Sequence, residues 1–121
     1  MRLPQDAVLL RIFLGEADKY HGRPLYEAIV MKARELHLAG ATVLRGPMGF
    51  GYSSRVHTAK ILRLSEDLPL LIEIVDAEEK IDAFLPILDQ MMGSGLVTLE
   101  KVKVLQYGRA ASSAAETSPV S

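Results

Sequence analysis

A chain of 121 residues with 49% hydrophobic and 24% charged side chains is long enough for one domain with a real hydrophobic core. Its formal charge of −1 excludes the concentrated basic face of a general nucleic-acid binder, and no apolar stretch approaches the roughly 20 residues of a membrane-inserted helix. The lack of cysteine excludes disulfides and thiolate metal sites, so we expect a cytoplasmic protein.

The first half of the chain is expected to form a strand, a helix and a second strand. Residues 7–14 are apolar except for Arg11, as in a central strand, and Pro24 stands where a first helical turn tolerates proline. The apolar residues that follow recur at helical spacing: Leu25, Ile29, Ala33 and Leu36. Gly40 is expected to end this helix, and residues 41–45 are predicted as the second strand.

The middle of the chain combines a glycine-rich segment with a third strand. Glycines and serines punctuate residues 46–54, and residues 55–64 are compatible with either an extended arm or a short helix. Residues 70–75 are apolar apart from Glu73, which predicts a core strand.

A second helix and a last strand complete the pattern. Asp76 and Glu79 have the spacing of a capping box, and Pro86 is expected to bend the helix that they open. The apolar face of this helix consists of Ile81, Phe84, Leu85, Leu88, Met91 and Met92. Residues 93–95 end the helix, and residues 97–107 alternate as a strand.

The predicted order is β-α-β-β-α-β in one domain over residues 1–109, followed by a small, polar tail over residues 110–121 that we expect to be disordered. Two strand–helix–strand halves of this length fold most simply as a four-stranded antiparallel sheet with both helices on one face. This is the ferredoxin-like α+β sandwich. Its second face lacks cover within one chain, which predicts an oligomer.

The glycine-rich segment is the first candidate for a binding function. Gly46, Gly51 and Ser53 have the spacing of a phosphate-binding P-loop, but Tyr52 occupies the position of the essential lysine, which excludes a P-loop. Two interpretations remain open. The glycines either serve a turn and a hairpin, or they line a loop whose backbone N–H groups face an anion.

A basic cluster follows this segment and consists of Arg55, His57, Lys60 and Arg63. It is either a solvated arm or a site that captures phosphate or carboxylate, with Arg55 as a planar donor. The histidines lack metal-ligand spacing, and no nucleophile–base pair stands out. We therefore predict no metal, no cofactor and no enzymatic activity.

Five stretches carry a resemblance to a known family: L-R-I-F-L-G-E, G-R-P-L-Y-E-A-I-V, A-G-A-T-V-L-R-G-P-M-G-F-G, H-T-A-K-I-L-R-L-S-E-D-L-P and E-I-V-D-A-E-E-K-I-D-A-F-L-P. They resemble an uncharacterised bacterial family, catalogued as a domain of unknown function, that is related to the nitrogen-regulatory PII (GlnB-like) signalling proteins. The resemblance extends from about Val8 to Val104.

PII proteins are trimers that bind adenine nucleotides between subunits and signal through a mobile T-loop. The resemblance therefore implies a homotrimeric regulator that binds a small anionic ligand, for which an adenine nucleotide is one candidate, and contacts an enzyme or transporter. It places the Gly-Phe-Gly turn at the base of the T-loop and the glycines before the last strand near ligand phosphates. The implied ligand-binding residues are Gly46, Gly49, Phe50, Gly51, Arg55, His57, Lys60, Gly93 and Gly95.

Two alternatives stay open at this point. A small ferredoxin-like enzyme, such as a cofactor-free oxygenase or isomerase, would have a closed apolar pocket between helices and sheet. A structural trimer without a ligand would show the same sequence features. The residues identify neither the ligand nor the partner protein.

Overall fold

The computed structural model describes residues 5–49, 57–58 and 68–108. The elements in chain order are β1 (Asp6–Gly15), β2 (Lys19–Tyr20), β3 (Arg23–Pro24), α1 (Leu25–Glu35), β4 (Thr42–Arg45), β5 (Met48–Gly49), β6 (His57–Thr58), β7 (Pro69–Asp76), α2 (Glu78–Met91) and β8 (Leu96–Lys103). The expected order of long elements is present, and two pairs of short strands, β2–β3 and β5–β6, accompany it. The tail predicted over residues 110–121 lies outside the described residues.

The four long strands form one antiparallel sheet in the order β4-β7-β1-β8. The first strand lies in the middle, where Ile12 faces Ile72 of β7 on one side and Val97 of β8 on the other. Strands β1 and β4, which α1 connects, are therefore not neighbours, because β7 lies between them. This topology confirms the predicted ferredoxin-like α+β fold.

The hydrophobic core lies between the sheet and the two helices. Alternate residues of β1 and β7 point into it, because side chains alternate across a strand. The core side chains of the sheet are Val8, Leu10, Ile12, Leu14, Leu70, Ile72 and Ile74, and the helices add Leu25, Ala28, Ile29, Ala33, Ile81, Phe84, Leu88 and Met91. Each fully buried aliphatic or aromatic side chain of this set contributes about 1.5–3 kcal/mol.

The first helix ends earlier than the sequence predicts. Leu36 is its C-cap, and His37 rather than Gly40 adopts the left-handed backbone, with φ of 62°. The N–H of Leu38 bonds to the carbonyl of Ala33 and that of His37 to the carbonyl of Arg34, both at 3.0 Å. These two bonds form a Schellman motif, which satisfies the last carbonyls of the helix without a glycine.

The predicted capping box at the start of the second helix is wrong. Ala77 is the N-cap and has no side-chain cap, because the Asp76 carboxylate accepts hydrogen bonds from the backbone N–H groups of Ala39 and Ala77 instead. The helix continues through Pro86, which is exposed. The bend expected at that proline stays a prediction.

A hairpin between β1 and α1 was not predicted. Its strands β2 and β3 are joined by His21 and Gly22, whose φ angles of 52° and 81° are both positive. This is the pattern of a type I′ turn, which matches the twist of the flanking strands. Among the described residues no helix is long and apolar enough to span a membrane.

Candidate functional site: an open sheet face with a terminal cleft

The face of the sheet opposite the helices carries an apolar row across all four strands. Leu44, Leu71, Phe13 and Leu96 lie side by side, because residues paired across antiparallel strands share a face. Leu44 is 49% exposed and Leu96 is 56% exposed. The described residues therefore leave this face uncovered, as the sequence predicts.

A polar row runs next to the apolar row. Thr42, Glu73, Arg11 and Thr98 are paired across the four strands. Arg11 lies between two carboxylates, with Nε 3.0 Å from Glu73 Oε2 and Nη1 3.1 Å from Glu100 Oε1. In one subunit these ion pairs face water, where each stabilises the fold by at most about 1 kcal/mol.

A cleft of about 600 Å³ lies at the end of this face where β4 begins and β7 and β8 end. Its floor contains Thr42, Glu73 and Val75 on the open side of the sheet. Residues 104–107, which we call the wall segment, form its side together with Lys103. A hydroxyl, a carboxylate and apolar valines thus meet in a volume typical of small-molecule sites.

The last strand was predicted to reach Tyr107, and the wall segment shows that this prediction was wrong. Strand β8 ends at Lys103, and the chain then leaves β8 and crosses the end of the sheet. It reaches the loop after α1, where the Tyr107 hydroxyl donates to the Ala39 carbonyl at 2.6 Å. The departure of these residues from the sheet creates the cleft.

The loop that receives Tyr107 is held in place by a buried carboxylate. Asp76 is 1% exposed, and its Oδ2 accepts a hydrogen bond of 2.8 Å from the N–H of Ala39. Lys80 donates to the His37 carbonyl at 2.5 Å and lies 3.9 Å from Asp76. The Ala39 carbonyl therefore has a fixed position at the rim of the cleft.

The opposite end of β4 leads into residues 46–68, which we call the arm. Its two described ends are joined by a hydrogen bond of 2.7 Å from the Gly46 N–H to the Pro69 carbonyl. Arg45 donates to both oxygens of Glu16, at 3.1 and 2.5 Å, and the Glu16 N–H bonds to the Leu68 carbonyl at 2.8 Å. Glu16 thus connects the residues at which the arm begins and ends. We call this group of residues the arm root: Glu16, Arg45, Gly46, Leu68 and Pro69.

The same ion pair affects the titration of the arginine. The pKa of Arg45 is raised above its ordinary value, first because its side chain donates hydrogen bonds to Glu16 and second because the Glu16 charge is close. Arg45 therefore keeps its positive charge across the physiological pH range. The arm root therefore carries a permanent cation paired with a carboxylate.

The turn between α2 and β8 contains the other predicted glycines. Gly95 has a φ of +132°, and a Cβ built on it would lie 2.7 Å from the Phe13 carbonyl oxygen, whereas a Cβ on Gly93 meets nothing within 4 Å. A groove of about 360 Å³ runs beside this turn, between Leu85, Met92 and Val97. Gly95 is thus required by close backbone packing.

The predicted site residues do not converge within one subunit. Gly46 and Gly49 lie at the arm root, next to Pro69, while Gly93 and Gly95 lie at the same end of the sheet but at its other edge. Three strand spacings separate these edges, roughly 14 Å.

Several predicted residues cannot be placed. The backbone of His57 pairs with Gly49 in the β5–β6 ladder. Phe50, Gly51, Arg55 and Lys60 lie outside the described residues, and their binding roles stay predictions.

Sequence reasoning missed the cleft. Thr42, Glu73 and Val75 belong to predicted strands, and Tyr107 was placed in the last strand rather than against Ala39. One signal was available, because Glu73 interrupts an otherwise apolar strand at a position that points away from the core. The contact of Tyr107 with a loop 68 residues earlier has no local sequence signature.

The fold and the open sheet face define the class of this protein as a PII-like ferredoxin fold. Its structure is similar to that of CPII, a nitrogen regulatory PII-like protein from Thiomonas intermedia K12, with a TM-score of 0.58 and 19% identity over 84% of this chain and 90% of CPII. At that identity the similarity establishes the fold.

The chain belongs to the DUF190 family (Uncharacterized ACR), whose model matches residues 7–104. A UPF0166 protein of Aquifex aeolicus is 40% identical over 99 residues, which cover 80% of this chain and 91% of the relative. A UPF0166 protein of Methanocaldococcus jannaschii is 38% identical over 94 residues, which cover 77% and 86%. These matches confirm the uncharacterised PII-like family to which the sequence motifs pointed.

Proposed function

We propose that this protein is a PII-like regulator that binds a small anionic ligand between the subunits of a homotrimer and signals through the arm to a partner protein. The observation that carries the proposal is the cleft of about 600 Å³ on the uncovered sheet face, at the start of the strand that leads into the arm. The cleft supplies a ligand site, the open face supplies an assembly surface, and β4 links both to the arm.

The chemistry of the cleft favours a ligand with an apolar ring and an anionic group. Val75 and the wall segment offer apolar contact, and Thr42 and Glu73 offer polar groups that can orient a heterocycle. We propose that Lys103, at the end of β8 beside the cleft, supplies the positive charge for the anionic group. An adenine nucleotide has these features. CPII, which shares the fold, was determined with ADP, AMP and bicarbonate bound.

The open face favours assembly. Its apolar row and the ion pairs of Arg11 would both be removed from water by neighbouring subunits, and an exposed apolar row of this kind marks interaction surfaces. In a trimer, the cleft of one subunit would be closed by a neighbour. We propose that the neighbour contributes its arm root or its Gly93–Gly95 turn, which lie too far apart to act together in one chain.

The arm provides the output of the proposed regulator. A ligand in the cleft contacts Thr42 at the start of β4, and Arg45 at the end of the same strand holds the arm root through Glu16. Ligand binding would change the balance between ordered and mobile arm conformations, an order–disorder switch. The proposed partner is an enzyme or a transporter, and the protein itself is proposed to have no catalytic activity.

The alternative of a small enzyme predicts a closed apolar pocket between helices and sheet. In the described residues that interface is filled by core side chains such as Phe84, Ile29 and Ile72, all at most 1% exposed. The cleft instead reaches solvent on the other face of the sheet. This arrangement favours a binding protein over an enzyme with an enclosed site.

Calorimetry with ADP, AMP, ATP and bicarbonate tests the ligand, and light scattering tests the trimer. Thr42→Arg places a long cation in the cleft, and Met31→Arg is the control, because Met31 is exposed on α1, away from the open sheet face. We expect Thr42→Arg to weaken binding at least tenfold and the control to bind normally.

The ligand, the cleft and the trimer are each tested by a separate outcome. If none of these ligands binds at millimolar concentration, the nucleotide assignment is wrong. If Thr42→Arg binds like the wild type, the cleft is not the site. A monomeric mass in light scattering would refute the proposed binding site between subunits. Arg55→Ala is expected to weaken anion binding without unfolding, and unchanged binding would end the role assigned to that arginine.

A further inference from the structure

The wall segment has few attachments to the rest of the fold. Within the described part of the chain, the Val104 N–H bonds to the Gln5 carbonyl at 2.6 Å, and the Tyr107 hydroxyl bonds to the Ala39 carbonyl at 2.6 Å. Between these two points Leu105 is 85% exposed. The segment therefore spans the side of the cleft with one backbone bond at its start and one side-chain bond at its end.

The two partners of the side-chain bond differ in rigidity. Ala39 is fixed through its N–H by Asp76, whose other oxygen accepts the N–H of Ala77 at 2.6 Å, so this loop is tied to the start of α2. Lys80 adds a second tie through the His37 carbonyl. On the other side, Tyr107 is carried by an exposed, irregular segment. Separation of the pair therefore displaces the wall segment and leaves the loop in place.

We propose that Tyr107 is a latch residue that controls exchange of the ligand in the cleft. With the hydroxyl bonded to Ala39, the wall segment closes the side of the cleft. When that bond breaks, the segment swings away from the floor of Thr42, Glu73 and Val75, and a ligand can enter or leave. The inference rests on the proposed role of the cleft as the ligand site, but the motion of the wall segment is testable without any ligand.

The latch has a specific consequence for ligand kinetics. Removal of one neutral hydrogen bond shifts an opening equilibrium by about fivefold. If opening limits exchange, ligand association and dissociation both accelerate by that factor and the affinity stays nearly constant. A merely structural role of Tyr107 would instead weaken affinity or stability without this parallel change in rates.

The test compares Tyr107→Phe with Tyr26→Phe. Both substitutions remove one hydroxyl and keep the ring, and Tyr26 bonds only weakly, at 3.5 Å, to the adjacent Glu27 on α1, away from the cleft. In the ligand-free protein, NMR relaxation dispersion at residues 105–107, which detects μs–ms opening, is measured first. We expect the open population of the wall segment to be about fivefold higher in Tyr107→Phe than in the wild type and in Tyr26→Phe.

Stopped-flow measurement with ADP as the probe follows. Parallel acceleration of both rates by about fivefold in Tyr107→Phe supports the latch. An unchanged open population in Tyr107→Phe, or a wall segment that is already mostly open in the wild type, would overturn it. Failure of ADP to bind the wild type would count against the proposed function, whereas the NMR comparison would still decide whether Tyr107 holds the wall segment.

Discussion

Gly95 and Gly93 lie two residues apart in one turn, yet the structure predicts that substitution by alanine destabilises the protein at Gly95 and has little effect at Gly93. At Gly95 the backbone has a φ of +132°, a region that residues with a Cβ rarely adopt. The added methyl group would also lie 2.7 Å from the Phe13 carbonyl oxygen and 2.6 Å from the Met92 methyl group. At Gly93 an added Cβ meets open space.

The expected cost at Gly95 follows from two contributions. Backbone strain in a sparsely populated conformation costs about 1–3 kcal/mol. The methionine methyl group can rotate away at little cost, but the Phe13 carbonyl belongs to the central strand, so the turn itself must shift. We expect Gly95→Ala to lower the free energy of unfolding by about 2–4 kcal/mol, within the range of large single-residue effects. Gly93→Ala should stay within about 0.5 kcal/mol of the wild type.

Urea denaturation at one fixed protein concentration measures both variants, because the stability of an oligomer depends on concentration. The pair also separates two roles for the turn. If Gly95 serves mainly to approach a ligand, its alanine variant keeps normal stability and loses binding. Equal stability of the two variants would refute the reasoning from close packing against Phe13.

Three further substitutions test other parts of the structure. Asp76→Ala removes the acceptor of two backbone N–H groups and should cost about 2–4 kcal/mol in denaturation experiments, whereas the exposed Asp89→Ala should change stability by less than about 0.5 kcal/mol. Glu16→Gln weakens an exposed ion pair and should cost less than about 1 kcal/mol, but hydrogen exchange at the arm root should accelerate. Leu44→Asp should dissociate the proposed oligomer in light scattering, while Met31→Asp, equally exposed on α1, should leave it intact.

Much of the fold could be predicted because it depends on local patterns. The alternation of buried residues in β7, Leu70, Ile72 and Ile74 against Leu71 and Glu73, is visible in the sequence and recurs in the structure. Helical spacing identified seven of the eight core residues that the helices contribute, all except Ala28. These patterns follow from the geometry of strands and helices, so they need no knowledge of distant contacts.

The sequence-based errors share a physical origin in contacts between distant residues. Asp76 looked like a helix cap because Glu79 follows at the right spacing, but the N–H of Ala39, 37 residues away, competes for the same carboxylate. Gly40 looked like the helix stop, although His37 can adopt a positive φ when Lys80 bonds to its carbonyl. The residue spacing near Asp76 and His37 gives no indication of these distant hydrogen-bond partners.

None of the predicted ligand-binding residues that the structure describes lines the cleft. The glycines at the arm root and in the turn were recognisable as turn residues, and their binding roles stay predictions. The cleft was not recognisable, because it exists only where the wall segment returns to a loop that precedes β4. Its floor is made of strand residues whose open-face position depends on the register of the sheet.

Strand β4 is the element through which a ligand in the cleft could affect the arm. Four of its residues pair with β7, whereas eight residues of β1 do so, and β4 has no strand on its outer side among the described residues. It is therefore the least restrained strand of the sheet. Thr42 at the cleft and Arg45 at the arm root are only about 10 Å apart along it.

A small displacement of this strand would reach both ends at once, since the strand is short and pairs with only one neighbour among the described residues. The Glu16 pair opposes such a displacement at the arm end, and the Ala39 loop opposes it at the cleft end. Glu16→Gln and Tyr107→Phe should therefore each change how strongly ADP alters hydrogen exchange at the arm root. If neither variant changes that effect, the proposed signal does not pass through β4.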